Sequence, residues 1–438
     1  MGNAQSPSKD PRFLTACRAF TEKEIEDLKR LHRILAHQSQ CNAQFISGYV
    51  FVAIYERGTP DEIEEFIYQL LDVTGDGIVN RSDLEAVLSG VYDAVFSQIN
   101  AEDGLHWQLW RKNFIAIFVD AATFSKKVEG YAESGMSFEE YKRWCSHVPS
   151  VRKFLGSLMM TPDPASTSNL GAFVCGISSI EAFVVGSALE IDQPSERYIA
   201  TEANKTINHA ARPGFQVPHL LHSENKTADF PLLRREYAWH IGGALPLHEL
   251  DEWKLLYHSA VHGLSFNTFL GNISNEEVPT VLIIKDKEGY IYGGYASQPW
   301  EKHGDFYGDM KCFLFQLFPV ASIYRPTGAN ANLQWVMCGE FTSENIPNGL
   351  GFGGRANHFG LFLSASFDQG HTMACTTFGS PELSKSHKII PEVIECWGVV
   401  SKEGQLGNFE NLKGTALERF KEDRNLLNLM GIAANSSE

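Results

Sequence analysis

Six residues between positions 72 and 83 carry oxygen at the spacing a hard cation needs. Asp72, Thr74 and Asp76 place side-chain oxygens at the first, third and fifth positions of a twelve-residue stretch. Ile78 offers its backbone carbonyl at the seventh, and Asn80 and Asp83 follow at the ninth and twelfth. Gly77 stands at the sixth, where the chain must turn sharply. This set predicts one bound Ca²⁺ or Mg²⁺. The twelfth position ordinarily holds a glutamate that grips Ca²⁺ with both oxygens. Asp83 reaches less far, so Ca²⁺ is expected to bind weakly and Mg²⁺ to compete better. The plain alternative is a loop that stays empty.

Other residue types with chemical potential do not assemble into a catalytic set. Gly349 to Gly354 spells GxGxxG, but it follows a Pro-Asn turn, so it reads as a turn needing glycine freedom and not as a dinucleotide cradle. His262 and Ser265 are close in sequence without a nucleophile elbow. His303, His358 and His371 lack metal-ligand spacing. Asp305 and Asp309 are placed to share one face of a helix, with no general acid to work with. The eight cysteines (17, 41, 145, 175, 312, 338, 375 and 396) contain no CxxC, which fits reduced, buried thiols in a cytosolic protein.

The amino terminus carries an address. Met1-Gly2-Asn3-Ala4-Gln5-Ser6 fits the N-myristoylation pattern, with Gly2 as the acceptor once Met1 is removed. A single myristoyl chain attaches only marginally and reversibly, so a second signal is needed. Lys9, Arg12, Arg18 and Cys17 supply little, and a protein partner already on the membrane is the better candidate. The formal charge of −16 argues against nucleic acid as a partner, because phosphate contacts need clustered lysine and arginine. The apolar run from Leu170 to Leu189 is broken by Glu181 and reads as buried helix, not a membrane span.

The elements that must position these residues divide the chain. After a flexible start over 1–19, residues 20–149 read as helices. The stretch 72–83 sits between two of them and resembles an EF-hand loop, with Val79 at the apolar eighth position that links paired loops. Residues 129–140 resemble a degenerate partner, since Tyr131 and Ser134 stand where a ligand and the turn glycine belong. Residues 150–237 form a mainly helical connection, with the polar segment 161–169 as a boundary or exposed loop. From 238 to 400, VLIIKDKEGYIYGGYAS, CFLFQLF, ANLQWVMCG, FGLFLSASF and ECWGVV read as short strands with glycine at the corners. They predict a two-sheet β-sandwich flanked by helices, one of them carrying Trp253 and Leu256. A linker over 401–414 leads to a helix at 415–430, whose stripe of Leu417, Phe420, Leu427 and Met430 must be covered by the body or by a partner.

LPLHELDEWKLLYHSAVHGLSFNTF, the strand phrases above, GFGGRANHFGLFLSASFDQG and EVIECWGVV, in that order, resemble the TLDc family. The resemblance implies a docking domain and not an enzyme, and it implies the V-ATPase as partner. The lipidatable start, EF-hand-like helices and helical tail resemble the lysosomal branch of that family. That likeness implies a place in the cytoplasm and on the cytosolic face of lysosomal membranes, held by N-myristate, and components of the mTOR pathway as further partners. The competing expectations are an antioxidant, oxidation-resistance protein, which needs an exposed reactive thiol, and a Ca²⁺-myristoyl switch independent of the V-ATPase.

Overall fold

The computed structural model describes residues 64–65, 67–69, 71, 79–96, 106–126, 134–158, 214–222, 231–273, 276–301, 303, 305–337 and 347–400. Gly2, residues 72–78 and the predicted helix at 415–430 lie outside them. Among the described residues no helix is long and apolar enough to cross a membrane.

The first part is helical: α1 (Arg81–Phe96), α2 (His106–Val119), α3 (Phe138–His147) and α4 (Pro149–Leu158). In α1, Leu84, Val87, Leu88, Val91, Tyr92 and Val95 recur every three or four residues, and all are buried. That spacing lines one face of a helix. They pack with Phe114 and Phe118 of α2, Trp144 of α3 and Phe154 of α4 in one core.

The second part is a mixed α+β body. In chain order it contains β1 (His219–Leu221), α5 (Arg235–Gly242), β2 (Glu252–His258), α6 (Ser259–His262), α7 (Phe266–Ile273), β3 (Thr280–Asp286), β4 (Ile291–Ala296), β5 (Phe313–Phe318) and β6 (Ser322–Tyr324). β7 (Gln334–Met337), β8 (Gly349–Phe352), β9 (Leu361–Ser364), β10 (Gly370–Thr372), β11 (Lys388–Ile389) and β12 (Pro391–Val400) follow. A seven-stranded sheet runs β1-β2-β12-β3-β4-β5-β6, and a five-stranded sheet runs β11-β10-β9-β8-β7. β3 shows why both faces of the large sheet are apolar. Leu282 and Ile284 point into the sandwich against Leu350, Phe352 and Leu361 of the small sheet. Val281 and Ile283 point the other way, into a core closed by Ala238 and Ile241 of α5. A strand covered on both sides reads as a continuous hydrophobic run and not as an alternation. Gly294 lets the sheets approach, since a Cβ there would lie 2.7 Å from the Phe352 ring.

The expected sandwich with helices stands, and three local expectations change. Trp253 and Leu256 lie on β2, not on a helix. Opposite them the ladder shifts register, with Leu255 facing Trp397 and Tyr257 facing Cys396. Leu256 is therefore the extra residue of a bulge, which breaks the alternation and leaves an apolar spacing of three that imitates a helix. α5 covers the side of Trp253, and α7 packs on the side of Leu256. The glycine run is likewise half strand: Gly349–Phe352 forms β8 between β7 and β9. Only Gly353 and Gly354 turn, at φ 67° and 79°. Asp305 and Asp309 lie in irregular chain, where Asp305 Oδ1 accepts the Phe306 N–H and Asp309 Oδ1 the Lys311 N–H.

The two parts share a core. Trp239 of α5 enters the helical cluster, with its ring 6.1 Å from Phe96, 5.7 Å from Phe114 and 6.1 Å from Phe118. Its Nε1 donates to the Gly214 carbonyl at 2.8 Å. The Ala321 N–H donates to the Ile117 carbonyl at 2.9 Å. Lys153 and Arg325 donate to the Leu245 and Ala244 carbonyls, both at 2.7 Å, just beyond the C-terminal end of α5, where cations are favoured.

Candidate docking surface

Of the predicted cation ligands, Asn80 and Asp83 are described, whereas Asp72, Thr74, Asp76 and Ile78 lie outside the described residues. Asn80 caps α1: its Oδ1 accepts the Asp83 N–H and Asp83 Oδ2 accepts the Asn80 N–H, both at 3.0 Å. This is a reciprocal cap of the kind that satisfies two orphan donors at a helix start. Ser137 and Glu140 repeat it at α3. Val79 and Met136, the eighth residues of 72–83 and 129–140, form an antiparallel bridge in which the Met136 N–H donates to the Val79 carbonyl at 2.7 Å. Among the described residues no three His, Cys, Asp or Glu side chains cluster as a metal site would require.

The fold gathers one group that sequence reading missed. Glu395, fully buried on β12, accepts the N–H groups of Leu232 and Leu233 and the indole N–H of Trp397. Its Oε1 lies 3.4 Å from Nε2 of His258, and Ser259 is adjacent. The residue types suggest a nucleophile, a base and an orienting acid. Their bonding does not. His258 Nδ1 accepts the Ala260 N–H at 3.0 Å, so its proton sits on Nε2 facing Glu395. No nitrogen is left to take a proton from Ser259, whose Oγ accepts the Ile394 N–H. Burial raises the Glu395 carboxyl against three donors that lower it, and burial, then His262, lowers His258. A glutamate inside the apolar phrase EVIECWGVV was the available signal.

The residues weighed for chemistry also have structural work. His262 Nδ1 accepts the His258 N–H at 3.0 Å. Ser265 Oγ accepts the Thr268 N–H and so caps α7. His303 stacks on Tyr307 and His371 on Phe362. Cys145, Cys312, Cys375 and Cys396 are buried and free. Burial pushes Cys145 and Cys396 up to about 12 and Cys312 upward, the reverse of what activates a thiol. Cys338 lies outside the described residues, as do Gly2, Leu417, Phe420, Leu427 and Met430.

Among the described residues a cleft of about 360 Å³ lies open between β1, β2 and α6, lined by Leu221, Leu255 and Val261 together with His222, Lys254 and His262. Leu221 is 37% exposed, Val261 50%, and Leu264, three residues beyond Val261, 49%. Its chemistry is that of contact: apolar walls and hydrogen-bond donors.

Residues 228–400 match the family model described as the TLDc domain, which takes in every strand of both sheets except β1 and all of the cleft except Leu221 and His222. MTOR-associated protein MEAK7 of Danio rerio is 42% identical over 158 residues, 35% of this chain and 34% of that protein. The protein of the same name from Gallus gallus is 36% identical over 202 residues, 45% of this chain and 42% of that protein. Oxidation resistance protein 1 of Xenopus tropicalis is 34% identical over 145 residues, 33% of this chain and 16% of that protein. These matches span less than half the length of the curated relatives.

Proposed function

We propose that this chain, built around its TLDc domain, is a non-catalytic adaptor. It works at the lysosomal surface, binds the V-ATPase through the TLDc domain and the 415–430 stripe, and takes part in mTOR signalling. The observation that carries the reading is the division of side chains. The side chains weighed for chemistry, His262, Ser265, His303, His371, Glu395 and the described thiols, are engaged in the body's own bonds, stacks or core, whereas apolar groups stay exposed around an open cleft. The name of the relatives from Danio rerio and Gallus gallus supports the mTOR link. The family resemblance supports the V-ATPase as partner. Gly2 supplies the lipid address, and Gly2→Ala should release a lipidated protein from membranes.

Affinity purification of the full chain from lysosomal membranes, with and without Ca²⁺, tests it. V-ATPase subunits and mTOR components should co-purify. Their absence from both samples would sink the adaptor reading.

An EF-hand-like pair is part of the proposal, supported by the Val79–Met136 bridge and the matching caps at Asn80 and Ser137. Asp72, Thr74, Asp76, Ile78, Asn80 and Asp83 would hold one Ca²⁺ or Mg²⁺. That cation would brace the start of α1. Asp83 enters the set with one oxygen already accepting the Asn80 N–H, which favours weak binding. Calorimetry at millimolar ion should show uptake, and a flat trace would dispose of the site. Similarity to oxidation resistance protein 1 keeps an antioxidant role as the second reading. It requires a thiol that alkylates unusually fast at neutral pH, against the buried thiols of the body. A Ca²⁺-myristoyl switch without the V-ATPase requires Ca²⁺-dependent binding to protein-free liposomes.

A further inference from the structure

We infer that the cleft between β1, β2 and α6 receives a partner peptide in which a large apolar side chain stands beside carboxylates. This rests on the adaptor reading and names the chemistry of the docked segment.

The argument starts from what lines the cleft. Its walls are aliphatic, and every polar side chain on them is a lysine or a histidine; none is a carboxylate, amide or hydroxyl. In a chain with a formal charge of −16, such a lining departs from the average surface. The donors are set in place. His262 uses Nδ1 to accept a backbone N–H, so its proton must reside on Nε2. Its ring is held flat against Tyr257, 5.6 Å away at 25°. Lys254 donates to Glu276 at 2.7 Å with half of its side chain exposed. An exposed ion pair of this kind contributes little, so an incoming carboxylate can share the ammonium. On the cleft wall itself, His258 is fixed by Ala260 and Glu395, so this part of the wall is already in place. Preformed sites keep more of their contact energy.

The exposed apolar surface decides between a peptide and a small molecule. Leu264 does not line the cleft, yet it is as exposed as Val261, which does. Two residues past the end of α6, Leu264 carries exposed apolar surface outside the cavity. A ligand that only filled about 360 Å³ would leave it wet, whereas an extended segment would cover both. Carboxylates on that segment would meet Lys254 and His262, and its apolar side chain would enter between Leu221 and Val261.

The test uses the full chain and a fluorescein-labelled peptide, acetyl-Glu-Asp-Leu-Phe-Glu-Asp-Leu-amide, followed by fluorescence anisotropy. One control replaces the acids by Gln and Asn, and a second replaces Leu and Phe by Ser. The acidic apolar peptide should bind at least about tenfold tighter than either control. Val261→Ser with Lys254→Gln should erase that preference, and Leu264→Ser alone should weaken binding about threefold. All three substitutions fall at exposed positions, and an unchanged urea midpoint confirms the fold. Equal binding of the three peptides, no binding, or full preference in the double variant would overturn the inference. Purification from lysosomal membranes separates it from the adaptor reading. If the double variant retains the V-ATPase that the unaltered chain captures, the cleft inference falls and the adaptor stands. If the unaltered chain captures nothing, the adaptor reading falls and the peptide preference decides the cleft.

Discussion

The seven-stranded sheet meets different surroundings at its two edges. At one edge, the Ala321 N–H just before β6 is taken by the last turn of α2, the Ile323 carbonyl faces His147 of α3, and Trp239 sits nearby inside the helical core. At the other, β1 is three residues long and pairs with β2 alone among the described residues, and the groups beside it stay exposed. An unpaired strand edge invites another chain. One edge is closed by a whole helical module, whereas the other is kept short and faces a cleft. The difference teaches that the helices are part of the body's architecture, and it leaves the opposite end as the place for the proposed recognition.

The sharpest way to break this comparison is Trp239→Ala. If the sealed edge depends on the shared core, removing a fully buried indole costs about 3–5 kcal/mol, read as a fall in the urea midpoint of the full chain. Helical and sheet signals should fall together. Loss of the helical signal alone, with the sheet untouched, would show two independent units. Glu395→Ala comes next at about 3 kcal/mol, because it leaves the Leu232, Leu233 and Trp397 donors buried without an acceptor. Glu395→Gln, which keeps acceptors, should lose less. Equal losses would mean that charge and not hydrogen bonding is what counts there.

Acid probes the sealed edge more gently. His240 of α5 packs edge-on against Phe118, and among the described residues neither ring nitrogen makes a hydrogen bond of full geometry. Burial pushes its pKa down to about 3, against the opposing pull of the Ser322 backbone. A group depressed in the folded state leaves stability intact above its unfolded value of about 6.5 and removes it below. Each pH unit from there towards about 3 costs about 1.4 kcal/mol, because only the unfolded chain takes the proton. His147 is also lowered by burial and adds in the same direction. Urea midpoints measured at neutral pH and near pH 5 should diverge, and His240→Phe should narrow the gap. An unchanged gap would remove His240 from the account.

Much of this was legible from residues, and the failures have one cause. The hairpin of β3 and β4, the strands β5, β7 and β9, and the stretch that folds as β12 were readable because apolar runs end at glycine or polar corners. β2 was misread because a bulge moved Leu256 out of alternation, and β8 because glycine inside a strand looks like a turn. Both depend on neighbours far along the chain. The His258–Glu395 contact joins residues 137 apart, by their numbers, and no spacing rule reaches that far. The cleft was invisible for the same reason, since β1 meets β2 only in the fold. Asn80 and Asp83 were picked out for oxygen chemistry, and their reciprocal cap uses those same oxygens.

The smallest stability effect is the most informative about the open edge. Val261→Ser and Leu264→Ser remove side chains that are half exposed, so each should shift stability by less than about 0.5 kcal/mol. An apolar residue buried for the sake of the fold cannot be replaced so cheaply. Unchanged midpoints beside a loss of acidic-peptide binding would mean that this edge is kept apolar for contact and not for stability, the reverse of Trp239. A loss of stability comparable to that of Trp239→Ala would instead show that Val261 and Leu264 hold the body together, and the contrast between the two edges would disappear.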